Sequence, residues 1–114
     1  MTSELELDLL AKHRIHVVGI GGAGMSAIAE VLSSMGHDVT GSDLKASAGL
    51  ERLKAQGIEV HVGHDPTNIQ NVELVTRSVA IANSNVEWQA AEKAGILMMS
   101  RAELLARISA LRRT

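Results

Sequence analysis

A glycine-rich segment between a short apolar run and an amphipathic stretch restricts the possible folds of this chain more than any other feature. Residues 16–26 read HVVGIGGAGMS, in which Gly19, Gly21 and Gly24 have the spacing G-x-G-x-x-G. A strand that turns sharply into a helix favours residues without a Cβ atom, and backbone close to two phosphates leaves no room for side chains. The segment predicts a strand–turn–helix unit whose helix N-terminus binds a diphosphate. The alternative is a turn that only packs the helix on its sheet.

The order of apolar runs along the chain predicts an α/β fold. Short runs rich in β-branched residues alternate with stretches of helical periodicity, which is typical of a parallel sheet with helices on both faces and right-handed crossovers. We therefore predict one Rossmann-like three-layer domain over residues 1–114, with a five-stranded, mostly parallel sheet. The predicted strands are 15–19, 39–42, 58–62, 74–79 and 96–99, and the predicted helices are 25–35, 47–56 and two that begin near 84 and 100.

Residues that favour helix ends set the predicted boundaries. Ser47 is the predicted N-cap of the second helix, while Ser84-x-x-Glu87 and Ser100-x-x-Glu103 have the form of capping boxes. Glycines that can end the first three helices stand at positions 36, 57 and 95. Acidic residues and leucines alternate in residues 1–12, which either form a short helix on the core or dock loosely.

Polar residues follow the predicted strands at the edge where open parallel sheets bind ligands. Asp43 ends the second strand about twenty residues after the glycine motif, and its carboxylate can accept hydrogen bonds from ribose hydroxyls or base N–H groups. Alternatively, Asp43 is the first-turn acid of the following helix. The sequence therefore predicts a nucleoside contact at Asp43, with a purely structural role as the alternative.

His64, Ser78 and Arg101 follow other strands on the same edge. His64 either donates to a phosphate or sugar oxygen or is an exposed turn residue. The Ser78 hydroxyl either bonds a phosphate or caps a turn. Arg101 either pairs with an anion or only occupies the first turn of the last helix, and we favour the second, because arginine beside a helix N-terminus is unfavourable unless an anion is present.

Composition excludes several classes of function. Aromatic residues make up 1% of the chain, with Trp88 alone, which argues against a base-stacking binder of single-stranded nucleic acid. The formal charge of −2 gives no general attraction to nucleic acid or to an anionic membrane. There is no cysteine, no metal-ligand spacing among the histidines and no G-x-x-x-x-G-K-[ST] loop for ATP. With no signal peptide or membrane-spanning run, a cytoplasmic location is expected.

A series of motifs occurs in one register along nearly the whole chain. They are GIGGAGMS at 19–26, IAE at 28–30, VTGSD at 39–43, LKAQGIEVHVGH at 53–64, SVAI at 78–81, NVE at 85–87 and RAELL at 101–105. Together they resemble the first domain of the Mur ligases of bacterial peptidoglycan synthesis. Val79 and Val86 depart from the pattern, because the family has a second serine and a proline at these positions. The doubled glycine followed by Met-Ser differs from ordinary NAD-binding domains.

The resemblance implies the N-terminal domain of an ATP-dependent ligase that joins L-alanine to UDP-N-acetylmuramate, with this domain binding the UDP part. It implies no catalytic residue and no metal ligand here. The implied substrate-binding residues are Gly21, Gly22, Ala23, Gly24, Met25, Ser26, Ser42, Asp43, His64 and Ser78.

The resemblance also implies what lies outside this domain. ATP and Mg²⁺ would serve the complete bacterial enzyme, through a central ATPase domain and a C-terminal domain that are absent from this chain. We therefore expect the chain to be inactive by itself, to need no cofactor of its own, and to bind neither nucleic acid nor membrane. The alternative is an NAD(P)-binding domain of an oxidoreductase or a sensor.

Overall fold

The computed structural model describes residues 9–111, except for the side chain of Ala23. The strands are β1 (Arg14–Val18), β2 (Asp38–Asp43), β3 (Glu59–Val62), β4 (Leu74–Arg77) and β5 (Leu97–Ser100). The helices are α1 (Ala23–Ser34), α2 (Ala48–Ala55), α3 (Val86–Ala94) and α4 (Arg101–Leu111), with one turn of 3₁₀ helix at Pro66–Ile69. The predicted order of elements is confirmed, and the 3₁₀ helix is an addition.

The five strands form one fully parallel sheet in the order β3-β2-β1-β4-β5. The predicted Rossmann-like α/β fold is therefore confirmed. The chain moves from β1 outward through β2 to β3, then returns to place β4 on the other side of β1. Ligands of open α/β sheets bind at the carboxyl edge where the strand order reverses, which here lies between β1 and β4.

Alternate residues of β1 supply two separate cores, because successive strand side chains point to opposite faces. Ile15 and Val17 belong to a buried cluster with the apolar residues of α1, α2 and α4. Val18 belongs to a second cluster on the other face, with Val75 of β4 and Ala91 of α3. Helices therefore cover both faces of the sheet, as the sequence pattern predicts.

Two of the predicted caps are confirmed and one is wrong. Ser47 caps α2, where its hydroxyl accepts a hydrogen bond from the Leu50 amide. Ser100 and Glu103 exchange the two hydrogen bonds of a capping box at α4. At α3 the N-cap is Asn85 rather than Ser84, since the Asn85 side chain accepts from the amides of Glu87 and Trp88.

Two other features bear on the predictions. The alternatives for residues 1–12 fall mostly outside the described residues, although Leu9 is buried in the larger core. The predicted fourth strand is too long, because β4 ends at Arg77 and Val79 is fully exposed. Within residues 9–111, no helix has the length and apolar character needed to cross a membrane.

Candidate functional site

The glycine turn is anchored to the neighbouring strand by its backbone. The amides of Gly19 and Ile20 both donate to the Ser42 carbonyl oxygen of β2, at 2.8 and 3.0 Å. Gly19 has φ +81°, and a Cβ atom there would lie 3.1 Å from the Ser78 Cβ atom. This position therefore requires glycine both for its left-handed backbone and for its close approach to the segment after β4.

Helix α1 begins directly after this turn and directs its N-terminus to the edge of the sheet. Gly22 is the N-cap and provides no side-chain cap, while its carbonyl oxygen accepts from the amides of Met25 and Ser26 at 3.0 and 2.9 Å. The first turn contains no acidic residue that would neutralise the helix dipole. Only the helix amides that precede those of Met25 and Ser26 lack a partner within the helix, and such amides attract anions.

A cavity of about 290 Å³ opens between the α1 N-terminus and the segment that follows β4. A second cavity of about 370 Å³ shares Ser78, Val79 and Arg101 with it. Both lie at the reversal of strand order. The first is lined by Gly22, Gly24, Met25, Ser78, Val79 and Arg101, and the second by Arg77, Ser78, Val79, Ile81, Ser100, Arg101 and Ala102.

The side chains of Ser78 and Arg101 are both in contact with the loops that border the cavity. The Ser78 hydroxyl accepts from the Ala80 amide at 3.2 Å, so it caps a turn and also lines the cavity. The Arg101 Nε atom donates to the Gly24 carbonyl oxygen at 3.3 Å. Arg101 is exposed, as expected, and its side chain also crosses from α4 to the start of α1, a contact that the sequence does not predict.

Asp43 is joined to the glycine turn by its carboxylate. Its Oδ2 atom accepts from the Gly21 amide and its Oδ1 atom from the Leu44 amide, each at 2.8 Å. The alternative that Asp43 starts the next helix is wrong, because α2 begins at Ala48 and has Ser47 as its N-cap. Two of the lone-pair sites of the carboxylate are used in this way, and others remain for a ligand.

Ser42 and His64 lie in a different environment from the cavity. The Ser42 side chain is buried in β2, and its hydroxyl bonds His64 Nδ1 at 2.8 Å and Glu87 Oε1 at 2.6 Å. The His64 side chain is 8% exposed, so it is not the exposed turn histidine of the sequence alternative. The structure thus joins these two predicted site residues to each other and to Glu87 of α3.

Glu87 is fully buried and accepts a hydrogen bond at each of its four lone-pair sites. Oε1 accepts from His16 Nε2 at 2.7 Å and from the Ser42 hydroxyl, and Oε2 accepts from the Asp65 amide at 3.0 Å and from Asn68 Nδ2 at 2.7 Å. Burial raises the pKa of Glu87, but the hydrogen bonds from His16, Ser42 and Asn68 outweigh it and lower that pKa to about 2. The carboxylate is therefore charged at neutral pH.

The capping-box interpretation of Glu87 is wrong because its side chain points to the sheet rather than back to the start of α3. A signal for this was present in the sequence. His16, Thr40 and Ser42 are polar residues at alternating positions in strands that are otherwise buried, and such residues need buried partners.

Comparison with known proteins adds the family. The family model described as "Mur ligase family, catalytic domain" matches residues 14–113. The chain belongs to the Mur ligase family. The resemblance to this family is confirmed, and the glycine turn described above lies within the matched residues.

Individual members of the Mur ligase family support this assignment. The UDP-N-acetylmuramate–L-alanine ligase of Hyphomonas neptunium is 50% identical over 99 residues, which is 87% of this chain and 21% of that protein. The ligase of the same name from Halorhodospira halophila is 48% identical over 95 residues, or 83% of this chain and 20% of that protein. The chain thus spans about a fifth of the length of these curated relatives.

A solved structure agrees with both the fold and the family. The crystal structure of a UDP-N-acetylmuramate–alanine ligase from Thermotoga maritima superposes with a TM-score of 0.84 at 31% identity. The match covers 89% of this chain and 24% of that protein. The five-stranded parallel sheet and its helices are therefore a fold that the Mur ligase family has in an experimental structure.

Proposed function

We propose that this chain is the domain of a UDP-N-acetylmuramate–L-alanine ligase that binds the UDP part of the substrate. The observation that carries the proposal is the cavity where the strand order reverses, with Gly22 and Gly24 on one side and Ser78 and Arg101 on the other. The names of the relatives supply the substrate. The cavity supplies the chemistry that a diphosphate requires.

Positive charge converges on the two joined cavities from the N-terminus of α1 and from the side chains of Arg77 and Arg101. The N-termini of α1 and α4 border these cavities, and the partial positive charge at α1 has no acidic residue in its first turn, whereas that at α4 is partly offset by Glu103. Arg101 adds a full charge and a planar set of donors that matches phosphate oxygens. A bound diphosphate would also remove the unfavourable interaction between Arg101 and its own helix N-terminus.

We assign roles to the predicted site residues on this basis. The diphosphate would lie over the turn and first helical residues formed by Gly21, Gly22, Ala23, Gly24, Met25 and Ser26, where the amides at the start of α1 would donate to it, as would the Ser78 hydroxyl. Asp43, the last residue of β2, and His64, which follows β3, would contact the nucleoside. Ser42 would act by holding His64 rather than by touching the ligand.

The activity of the whole protein forms part of the proposal. The complete enzyme would join L-alanine to UDP-N-acetylmuramate in the bacterial cytoplasm with ATP and Mg²⁺, using a central and a C-terminal domain outside residues 1–114. The sequence has no ATP-binding G-x-x-x-x-G-K-[ST] loop, and residues 9–111 contain no group of three His, Asp or Glu side chains suited to a metal ion. We therefore assign ATP and Mg²⁺ to no residue of this chain.

Titration calorimetry with UDP-N-acetylmuramate, UDP and NADH tests the proposal directly. The two uridine diphosphates are expected to bind, and NADH is expected to show no heat of binding under the same conditions. Binding of NADH without UDP would instead favour the NAD(P)-binding alternative. Absence of binding by all three would leave only a packing role for the glycine turn.

The Gly22→Val substitution is expected to weaken UDP binding by more than about tenfold, or about 1.4 kcal/mol. A Cβ atom at Gly22 meets no atom closer than 3.5 Å and lies 4.0 Å from the Ser78 hydroxyl oxygen, so the variant should fold while its side chain enters the cavity. Gly49→Val is the matched control, because a Cβ atom there also has space but lies in α2. UDP affinity that is equal in the two variants would contradict a ligand over this turn.

A further inference from the structure

The imidazole of His64 is held at one nitrogen and unsatisfied at the other. Its Nδ1 atom lies 2.8 Å from the Ser42 hydroxyl oxygen and 3.6 Å from Glu87 Oε2. Its Nε2 atom is buried and has no hydrogen-bond partner within the described residues. Native proteins rarely leave a buried polar atom unpaired, so we expect this nitrogen to have a hydrogen-bond partner from outside residues 9–111.

The protons around Glu87 determine which nitrogen of His64 carries hydrogen. An ionised carboxylate only accepts hydrogen bonds, so the single proton of the Ser42 hydroxyl is directed to Glu87 Oε1, 2.6 Å away. The Ser42 oxygen can then only accept from His64 Nδ1. The neutral imidazole of His64 therefore has its hydrogen on Nδ1 and a lone pair on Nε2.

His16 shows the same logic on the other side of Glu87, and there every atom is satisfied. Its Nε2 atom must donate to the carboxylate, at 2.7 Å, and its Nδ1 atom then accepts from the Thr40 hydroxyl, also at 2.7 Å. The two histidines thus differ in one respect. The second nitrogen of His16 has a partner in β2, whereas the second nitrogen of His64 has none among the described residues.

We propose that Glu87 is a positioning residue that acts through Ser42 to fix His64 as a hydrogen-bond acceptor for the nucleoside of the ligand. The inference rests on the proposed function and changes one part of it. The sequence suggests that His64 donates to a phosphate or sugar oxygen, whereas an Nε2 lone pair must accept from a hydroxyl or an imino N–H group. A ribose hydroxyl and the N3–H group of uracil both have this chemistry.

Two measurements on wild type and Glu87→Gln test the proposal. Long-range ¹H–¹⁵N NMR at about pH 8, above the ordinary imidazole pKa of about 6.5, identifies the protonated nitrogen of His64 without any ligand. We expect Nδ1–H in wild type and a mixture or Nε2–H in the variant, whose side-chain amide can donate to the Ser42 oxygen. Calorimetry should show UDP affinity reduced about fivefold or more, with inorganic diphosphate affinity unchanged.

Two analogues distinguish the sources of the donated hydrogen. In wild type, either 2′-deoxy-UDP or N3-methyl-UDP should bind more weakly than UDP. In His64→Ala, the same analogue and UDP should bind with equal affinity, because the acceptor is already absent. Loss confined to the first analogue assigns the contact to the ribose, and loss confined to the second assigns it to the base. Equal binding of UDP and both analogues would overturn the acceptor role.

Control variants separate positioning from simple stability. Thr40→Val removes a hydrogen bond from the same buried network without touching His64, so it should lower the melting temperature and leave the His64 tautomer and UDP affinity unchanged. If Glu87→Gln does not fold, Ser42→Ala breaks the same connection between Glu87 and His64 with a smaller change.

A hydrogen on Nε2 of His64 in wild type, or an unchanged tautomer in both Glu87→Gln and Ser42→Ala, would overturn the proposal. Absence of UDP binding by wild type would refute the proposed function and the nucleoside contact, while the tautomer still tests Glu87.

Discussion

Replacing Glu87 by alanine is expected to lower the free energy of unfolding by about 3–5 kcal/mol, because each buried donor left without its acceptor costs about 1–3 kcal/mol. The substitution would leave His16 Nε2, the Ser42 hydroxyl, Asn68 Nδ2 and the Asp65 amide without their acceptor. It would also open a cavity between α3 and the sheet. The protein as a whole has a stability of only about 5–15 kcal/mol, so a large part of it depends on this one side chain.

Urea denaturation followed by circular dichroism measures this effect. Glu92→Ala is the matched control, because Glu92 is an exposed glutamate of the same helix and its loss should change stability by less than about 0.5 kcal/mol. A Glu87→Ala variant as stable as the Glu92→Ala variant would show that the buried network contributes no net stability.

The same network gives an expected dependence of stability on pH. The pKa of Glu87 falls from 4.5 to about 2 in the folded protein, so folding favours the ionised form. The stabilisation is complete above the unfolded pKa of 4.5 and is lost as the pH falls towards about 2. The difference between these two pKa values corresponds to about 3 kcal/mol at neutral pH. Between pH 5 and pH 2.5, wild type should therefore lose more stability than Glu87→Ala does.

The parts of the fold that could be predicted are those with local causes. The strand–turn–helix unit at Gly19–Gly24 follows from glycine spacing between two apolar patterns, and its geometry depends on neighbours a few residues away. The caps at Ser47 and Ser100 follow from hydrogen bonds over three residues. The carboxyl edge as the site follows from the parallel strand order, which short βαβ connections impose.

The polar residues of β1 and β2 indicate that a buried partner exists, but Glu87 could not be identified as that partner because it is distant from them in sequence. Its hydrogen bonds reach His16 and Ser42, which are 71 and 45 residues away. The local pattern Ser84-x-x-Glu87 suggested a cap, yet Asn85 also has a cap-forming side chain and stands next to the first residue of α3. Tertiary contacts therefore decided between two local possibilities that the sequence alone could not rank.

The candidate site shows the same division. The sequence places Gly22, Gly24 and Ser78 on one edge, and the structure brings them around one cavity. The sequence does not reveal that the Arg101 side chain reaches the Gly24 carbonyl oxygen, because that contact between two helices depends on the orientation of a side chain. Nor does it reveal that Ser42 is wholly enclosed, since strand position alone does not say which polar side chain has an internal partner.

Asp43 is the site residue whose interpretation changes most with the structure in hand. From the sequence alone, Asp43→Ala would weaken UDP binding and leave inorganic diphosphate unaffected, because a nucleoside contact is absent from diphosphate. The structure adds that the Asp43 carboxylate holds the Gly21 amide at 2.8 Å. Removing it frees the backbone of the turn that we propose as the diphosphate site, so both ligands should be affected.

We therefore expect Asp43→Ala to weaken UDP binding by about ten- to 150-fold, the value of one charge-assisted hydrogen bond of about 1.5–3 kcal/mol. The affinity for inorganic diphosphate should fall by about fivefold, because this ligand is affected only by the loosened turn. Calorimetry with both ligands measures the two losses, and Asp38→Ala at the other end of β2 is the control. Equal losses for both ligands would limit Asp43 to ordering the turn, and a loss for UDP alone would assign it to the nucleoside alone. Unchanged affinity for both ligands would show that Asp43 is not part of the binding site, because neither its hydrogen bond to Gly21 nor its position at the end of β2 would then bear on binding.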